Sequence, residues 1–275
     1  MNILPAFLMT LIAGLSTGLG GVISVLSKKQ NTKFLAAALG FSAGVMIYVS
    51  MAELFVEARL SLGEIYGAKK GMIITVIAFF AGMILIAVID KLIPEKENPH
   101  EFKHKGDTPM FDTRESKKPR NALVRTGLMT ALALTIHNFP EGLATFIAAL
   151  HEPGIAIPVT AAIALHNIPE GVAVAMPLYF ATGNRKKALG YSFLSGLSEP
   201  LGAIIGYFLL RAFIGSFATP RALFGIIFAA VAGIMVFISI DELLPSAREY
   251  GEHHISIYGF VAGMAVMATS LILFM

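Results

Sequence analysis

The chain has 275 residues, 56% hydrophobic and 14% charged, with a mean hydropathy of +0.73 and a formal net charge of +3. Such values exclude an ordinary soluble domain of this length, and so small a charge gives no basis for nucleic-acid binding. Cysteine is absent, which removes disulfides and thiolate metal sites, so a bound metal would need nitrogen and oxygen ligands.

A membrane-spanning helix needs about 20 mostly apolar residues. Eight runs meet that length, at 3–26, 34–58, 71–89, 123–150, 155–181, 188–210, 222–244 and 255–275. They are continuous and too long for alternating barrel strands. The pattern predicts an all-α polytopic membrane protein with eight transmembrane helices in a single domain over 1–275.

The first run has no Lys or Arg before Lys28, so it reads as a retained span rather than a secretory signal. The second carries Glu53 in its interior and ends near Glu57 and Arg59, read as a solvated outer boundary. After the third run comes the one long connection, 91–121. It holds Pro94, Pro99, Pro109 and Pro119, many charges, and His100 and His104 four residues apart. That composition predicts a flexible loop, and its two histidines make at most a weak metal-accepting segment. The last connection carries His253 and His254, a signal of the same weight.

The fourth and fifth runs each contain one copy of a repeated block. These are His137-Asn138-Phe139-Pro140-Glu141-Gly142 and His166-Asn167-Ile168-Pro169-Glu170-Gly171, 29 residues apart. His and Glu are four residues apart in both, so they share a helix face. The sixth run contains Glu199 before Pro200, and the seventh ends on Asp241, Glu242 and Pro245.

Lys and Arg set the orientation. With both termini outside, sixteen of the twenty-one basic residues fall in the inner connections, including all nine between Lys91 and Arg125. The long loop is therefore expected on the cytoplasmic side of the membrane.

Internal similarity subdivides the spans. Residues 43–54 match 232–243 at six of twelve positions, and under this orientation the two runs are antiparallel. Spans 1–3 and 6–8 thus read as inverted repeats around a central pair, a 3+2+3 arrangement with the site near midplane. Residues 81–94 resemble 232–245 equally well and run parallel to them, so generic small-residue packing also accounts for part of the similarity.

Neutral imidazole, carboxylate and amide carbonyl are ligands for a divalent transition metal. Ionisable residues inside hydrocarbon are costly and ask for a functional reason. His137, Glu141, His166 and Glu170 fit one four-ligand site. Asn138 and Asn167 lie about 100° further round their helices and face a neighbouring position. Glu199 fits that second position and Glu53 the first. Pro140 and Pro169 lack an N–H, so the carbonyls of Ile136 and Leu165 lose their helix partners and can face a cavity or an ion. Gly142 and Gly171 permit close helix approach.

Metal transport explains this set better than the alternatives. An intramembrane metal-dependent hydrolase needs an open coordination position and a general base, and the chain has no His-Glu-x-x-His. A cation channel without metal selectivity would not need paired imidazoles. No Walker-type phosphate loop occurs, so nucleotide is not expected to drive the process. Voltage is sufficient, at about 2.3 kcal/mol per charge per 100 mV.

The twin His-Asn-x-Pro-Glu-Gly blocks, the Ser-Glu-Pro of 198–200, the Asp-Glu-Leu-Leu-Pro of 241–245 and the eight-span layout resemble the ZIP (Zrt/Irt-like protein) metal transporters, particularly their bacterial ZupT-type branch. The resemblance covers essentially the whole chain. It implies import of a divalent cation, zinc first, with iron(II), manganese, cobalt, nickel and cadmium as other candidates, and no prosthetic group. It also implies a two-metal site between the fourth and fifth spans. One position would use His137, Glu141, His166 and Glu170 with Glu53 nearby; the other would use Asn138, Glu141, Asn167, Glu170 and Glu199. Some relatives carry Gln in place of His166 and Asp in place of Asn167, so the second position is less anionic here. Besides the metal, the expected partners are the lipid bilayer and, in one admissible arrangement, a second copy in a homodimer.

Overall fold

The computed structural model describes residues 3–27, 31–92, 120–151, 153–213, 220–250 and 253–274. The greater part of the 91–121 connection, with His100 and His104, lies outside them.

Every regular element among the described residues is helical. In chain order they are α1 (Ile3–Leu26), α2 (Thr32–Val49), α3 (Phe55–Tyr66), α4 (Ala68–Leu92), α5 (Arg120–His151), α6 (Pro153–Thr182), α7 (Arg185–Gly196), α8 (Ser198–Phe213), α9 (Pro220–Ile238), α10 (Leu244–Tyr250) and α11 (His253–Phe274). Two π-helical turns, Ser50–Leu54 and Ser239–Leu243, join α2 to α3 and α9 to α10 without interrupting the rod.

Seven helical stretches among the described residues are long and apolar enough to cross a membrane, including Thr32–Tyr66, Arg185–Leu209 and Arg221–Arg248. The stretch containing α2 and α3 continues past the apolar run to Tyr66. Ala58, Ser61 and Leu62 are buried there, so packing extends the helix beyond what hydrophobicity alone marks. The fourth expected span, on α5, is not among the seven. Its 32 residues are long enough, but its basic first turns and its His-Asn-x-Pro-Glu block reduce its apolar character.

Local chemistry sets the joints. Asn31 and Asn184 accept hydrogen bonds from the Phe34 and Lys187 backbone N–H groups, each at 3.0 Å, and so start α2 and α7. The turn before α7 needs Gly183, whose φ is +66°. The α7–α8 joint at Leu197 is dictated by Pro200: its ring would collide with the carbonyl of residue 196, which is the last residue of α7. Pro140 and Pro169, in contrast, do not end their helices, and both α5 and α6 run straight through them. The expected local break is therefore a loss of one hydrogen bond inside a continuous helix.

The helices sort into two packed groups. In one, α1, α5, α6, α7 and α8 contact one another; in the other, α4 packs on α9, α3 on both, and α11 on α2. Contacts of α2 with α6 and of α5 with α9 join the groups. A shared core of Leu39, Met46, Ile147, Ile163, Val172 and Met235 runs across that junction. Outward, α4 exposes Ile73, Ile77, Phe80, Ile84 and Val88, an apolar face suited to lipid rather than water.

Candidate functional site

The two repeated blocks sit on neighbouring helices, α5 and α6, and their glycines set how those helices meet the rest of the bundle. A Cβ on Gly142 would collide with the backbone of Glu199 on α8, and one on Gly202 would collide with the Phe139 carbonyl. The same reciprocity joins Gly171 to the Thr17 carbonyl and Gly20 to the Ile168 carbonyl, between α6 and α1. The motif glycines therefore bring α8 and α1 against the polar blocks with backbone-to-backbone contact.

Six expected site residues are fully inaccessible: Asn138, Glu141, His166, Asn167, Glu170 and Glu199 each have 0% exposure. Among the described residues this polar set is therefore buried inside the bundle. Glu53, at the π-helical turn after α2, is half-buried. Among the described residues it makes no hydrogen bond or ion pair with the motif side chains. His137 belongs to α5, but its side chain lies outside the described residues.

Within the enclosure, the His166 Nε2 lies 3.3 Å from the Glu141 Oε2. The pair links the second block's imidazole to the first block's carboxylate, across α5 and α6. Glu170 is held by α2: the Ser42 hydroxyl lies 3.2 Å from Glu170 Oε1 and 3.3 Å from the His166 carbonyl. Asn167 faces away from this cluster. Its Nδ2 donates to the Ala13 carbonyl at 2.9 Å and to Glu199 Oε1. A peptide carbonyl only accepts, so the amide orientation is fixed with nitrogen toward α1 and α8. Thr145 donates to the Glu141 carbonyl at 2.9 Å, supporting the helix one turn beyond Pro140.

Several buried polar atoms have no hydrogen-bond partner among the described residues. They include both amide atoms of Asn138, Glu141 Oε1 and Asn167 Oδ1. Leaving such an atom unsatisfied costs about 1–3 kcal/mol, and more for a charged group. The carboxylate and amide oxygens among these atoms are acceptors of the kind a divalent cation can use. Among the described residues, no three His, Asp or Glu side chains close into a cage.

Sequence reasoning missed two participants. Ser42 and the Ala13 carbonyl enter the site only through the rotation and crossing of α2 and α1. Neither serine nor a backbone carbonyl stands out in an apolar run that already contains many small residues.

A family model described as ZIP Zinc transporter matches residues 90–271. The chain is 57% identical to a zinc transporter ZupT of Clostridium perfringens, covering 99% of this chain and 97% of that one. It is 58% identical to a zinc transporter ZupT of Chlorobium chlorochromatii, covering 99% and 98%. With one from Chlorobaculum parvum it shares 57% identity over 100% and 99%. Agreement of this extent, over nearly the whole length of the chain and of its relatives, makes the protein a member of the ZIP family.

Proposed function

We propose that the chain imports zinc or a similar divalent cation across a bacterial inner membrane. Similarity to proteins named as zinc transporters supports the substrate, and the enclosed polar site supports a position for the ion. One distance carries the reading. Zinc bonded at about 2.0–2.1 Å to nitrogen and oxygen in tetrahedral geometry holds neighbouring donors about 3.3 Å apart. The His166 Nε2 and Glu141 Oε2 have that separation.

In this reading the ion enters between α5 and α6, where His137, Glu141, His166 and Glu170 supply its ligands and Asn138 faces the adjacent position. Glu199 and Asn167 belong to an adjacent position whose carboxylate already receives an amide donor. Inward movement gains roughly 4.6 kcal/mol per divalent ion at 100 mV, so voltage can drive accumulation without nucleotide.

The proposed topology has eight spans, α5 being the fourth, with both termini outside. Matched π-helical turns favour an inverted repeat of spans 1–3 and 6–8. Ser50 donates to the Met46 carbonyl at 2.6 Å and Ser239 to the Met235 carbonyl at 2.7 Å. Glu53 and Glu242 occupy the same place in their turns, and π-helical turns concentrate at functional sites.

Uptake of radioactive zinc into proteoliposomes, with the interior held negative, tests the proposal. Voltage-dependent accumulation is expected. No accumulation by protein that reconstitutes normally would overturn it.

A further inference from the structure

Most buried hydroxyls in this protein fold back on their own helix. Thr10, Ser24, Ser50, Thr75 and Ser239 each donate to the carbonyl four residues earlier. Ser42 does otherwise. It is fully buried on α2, and its hydroxyl reaches across to α6, at 3.2 Å from Glu170 Oε1 and 3.3 Å from the His166 carbonyl.

The orientation of Ser42 is enforced by packing. Gly40 and Gly44 lie one turn apart, and a Cβ on either would strike the α11 backbone at Ser256 or Phe260. In return, a Cβ on Gly259 or Gly263 would strike the α2 backbone at Ala37 or Phe41. Four small residues thus fix which face of α2 meets α11. Residue 42 is about 200° round the helix from residue 40, so it points to the opposite side, where α6 lies.

Serine has one hydroxyl proton and two acceptors within reach. An ionised carboxylate is a stronger acceptor than a peptide carbonyl, so the proton belongs mainly to Glu170. That bond engages Oε1 and constrains the orientation of the carboxylate on α6. Partners of this kind orient metal-binding side chains, and losing one typically costs about 10–100-fold in affinity.

We propose that Ser42 is a positioning residue for metal capture: it holds the Glu170 carboxylate from the facing helix group in the orientation that receives the ion. The inference rests on Glu170 being a metal ligand. It adds that a directed hydrogen bond from α2 to α6 joins the two packed groups at the site.

Three variants test it in zinc uptake by proteoliposomes. Ser42→Ala removes the hydroxyl, Ser42→Cys fills the same space with a weak donor, and Ser42→Thr keeps the hydroxyl. For Ala and Cys, the expected result is a KM raised about 10-fold with Vmax close to that of the unmodified protein, and for Thr a KM near the original. An unchanged KM in Ala and Cys would overturn the proposal. So would recovery by Cys, which would show a role in packing, or a loss of Vmax at constant KM. If Ala does not reach the membrane, the Cys and Thr pair decides. Failure of the unmodified protein to transport would instead sink the transport reading. In that event calorimetric zinc titration of the solubilised protein still tests Ser42, with weaker binding expected in Cys and unchanged binding counting against it.

Discussion

The imidazole of His166 is paired with Glu141, 25 residues earlier and on the neighbouring helix. At 3.3 Å the contact is longer than the roughly 2.7–2.9 Å of a tight charge-assisted bond. Both side chains are buried, so the looseness is not a matter of solvent competition. A cation inserted between them would replace a weak bond with two strong ones.

That pairing makes the two residues energetically dependent. Glu141→Ala and His166→Ala should each weaken zinc binding, and the double variant should lose less than the sum, with a coupling of about 0.5–3 kcal/mol. Calorimetric zinc affinities of the four proteins provide the cycle. Additive losses would mean that the residues serve different positions. In uptake, Glu141→Ala and Glu170→Ala should each abolish transport.

Glycine packing predicts stability rather than affinity. A Cβ at Gly171 would meet the Thr17 carbonyl, a backbone atom that cannot step aside, whereas one at Gly190 would meet nothing within 4 Å. Gly171→Ala should therefore cost about 1–3 kcal/mol or more. Gly190→Ala should be neutral or stabilising by up to about 1 kcal/mol, because alanine is the better helix former. Thermal denaturation in detergent distinguishes them, and equal melting temperatures would contradict the close α1–α6 approach.

The absence of cysteine makes topology directly measurable. Cysteine introduced at Lys186, in the first turn of α7, should react with an impermeant maleimide only after the cytoplasmic face is opened. Cysteine at Lys69, at the start of α4, should react in intact cells. The reverse pattern would invert the orientation, and labelling of both positions from one side would refute a span count that places them on opposite faces.

The site was legible in the sequence where chemistry contrasted with its surroundings. A six-residue polar block, repeated inside apolar runs, announces itself by the cost of burying it, and Glu199 beside Pro200 stands out for the same reason. The helical class followed from eight long apolar runs. What escaped depends on rotation. Ser42 and the Ala13 carbonyl become site groups only when glycine contacts fix the faces of α2 and α1. The π-helical turns add a residue to a helix without changing its composition, so no periodicity marks them. The prolines fall inside spans that the sequence already reads as unbroken, and α5 and α6 are continuous helices through them.

Metal capture should also depend on acidity. Imidazole must be neutral and carboxylate ionised to bind a cation, so protons and zinc compete for the same groups. An imidazole ordinarily titrates near about 6.5, and competition should therefore raise the zinc KM as pH falls below about 6. Uptake measured from pH 5 to 8 at fixed voltage reads this directly. A KM that does not change across the range would remove His137 and His166 from the ligand set.

The proposed adjacent position gives Asn167 a testable role. Its amide nitrogen donates to both Glu199 and the Ala13 carbonyl, supplying the positive end of a dipole to a buried carboxylate. Asn167→Ala removes that donor but leaves Glu141, His166 and Glu170 in place, so uptake should fall less than in either glutamate variant. Asn167→Asp has a different consequence. It sets oxygen against Glu199 and a peptide carbonyl with no hydrogen between them, which is costly for two buried anions until a cation joins them. The metal-free Asp variant should melt at a lower temperature than the unmodified protein. Added zinc should then raise its melting temperature by more, because stabilisation grows as RT ln(1 + [L]/Kd) with each ion bound only by the folded state. Equal zinc-induced shifts in the two proteins would show that residue 167 does not control a second ion, and that Glu199 serves helix packing alone.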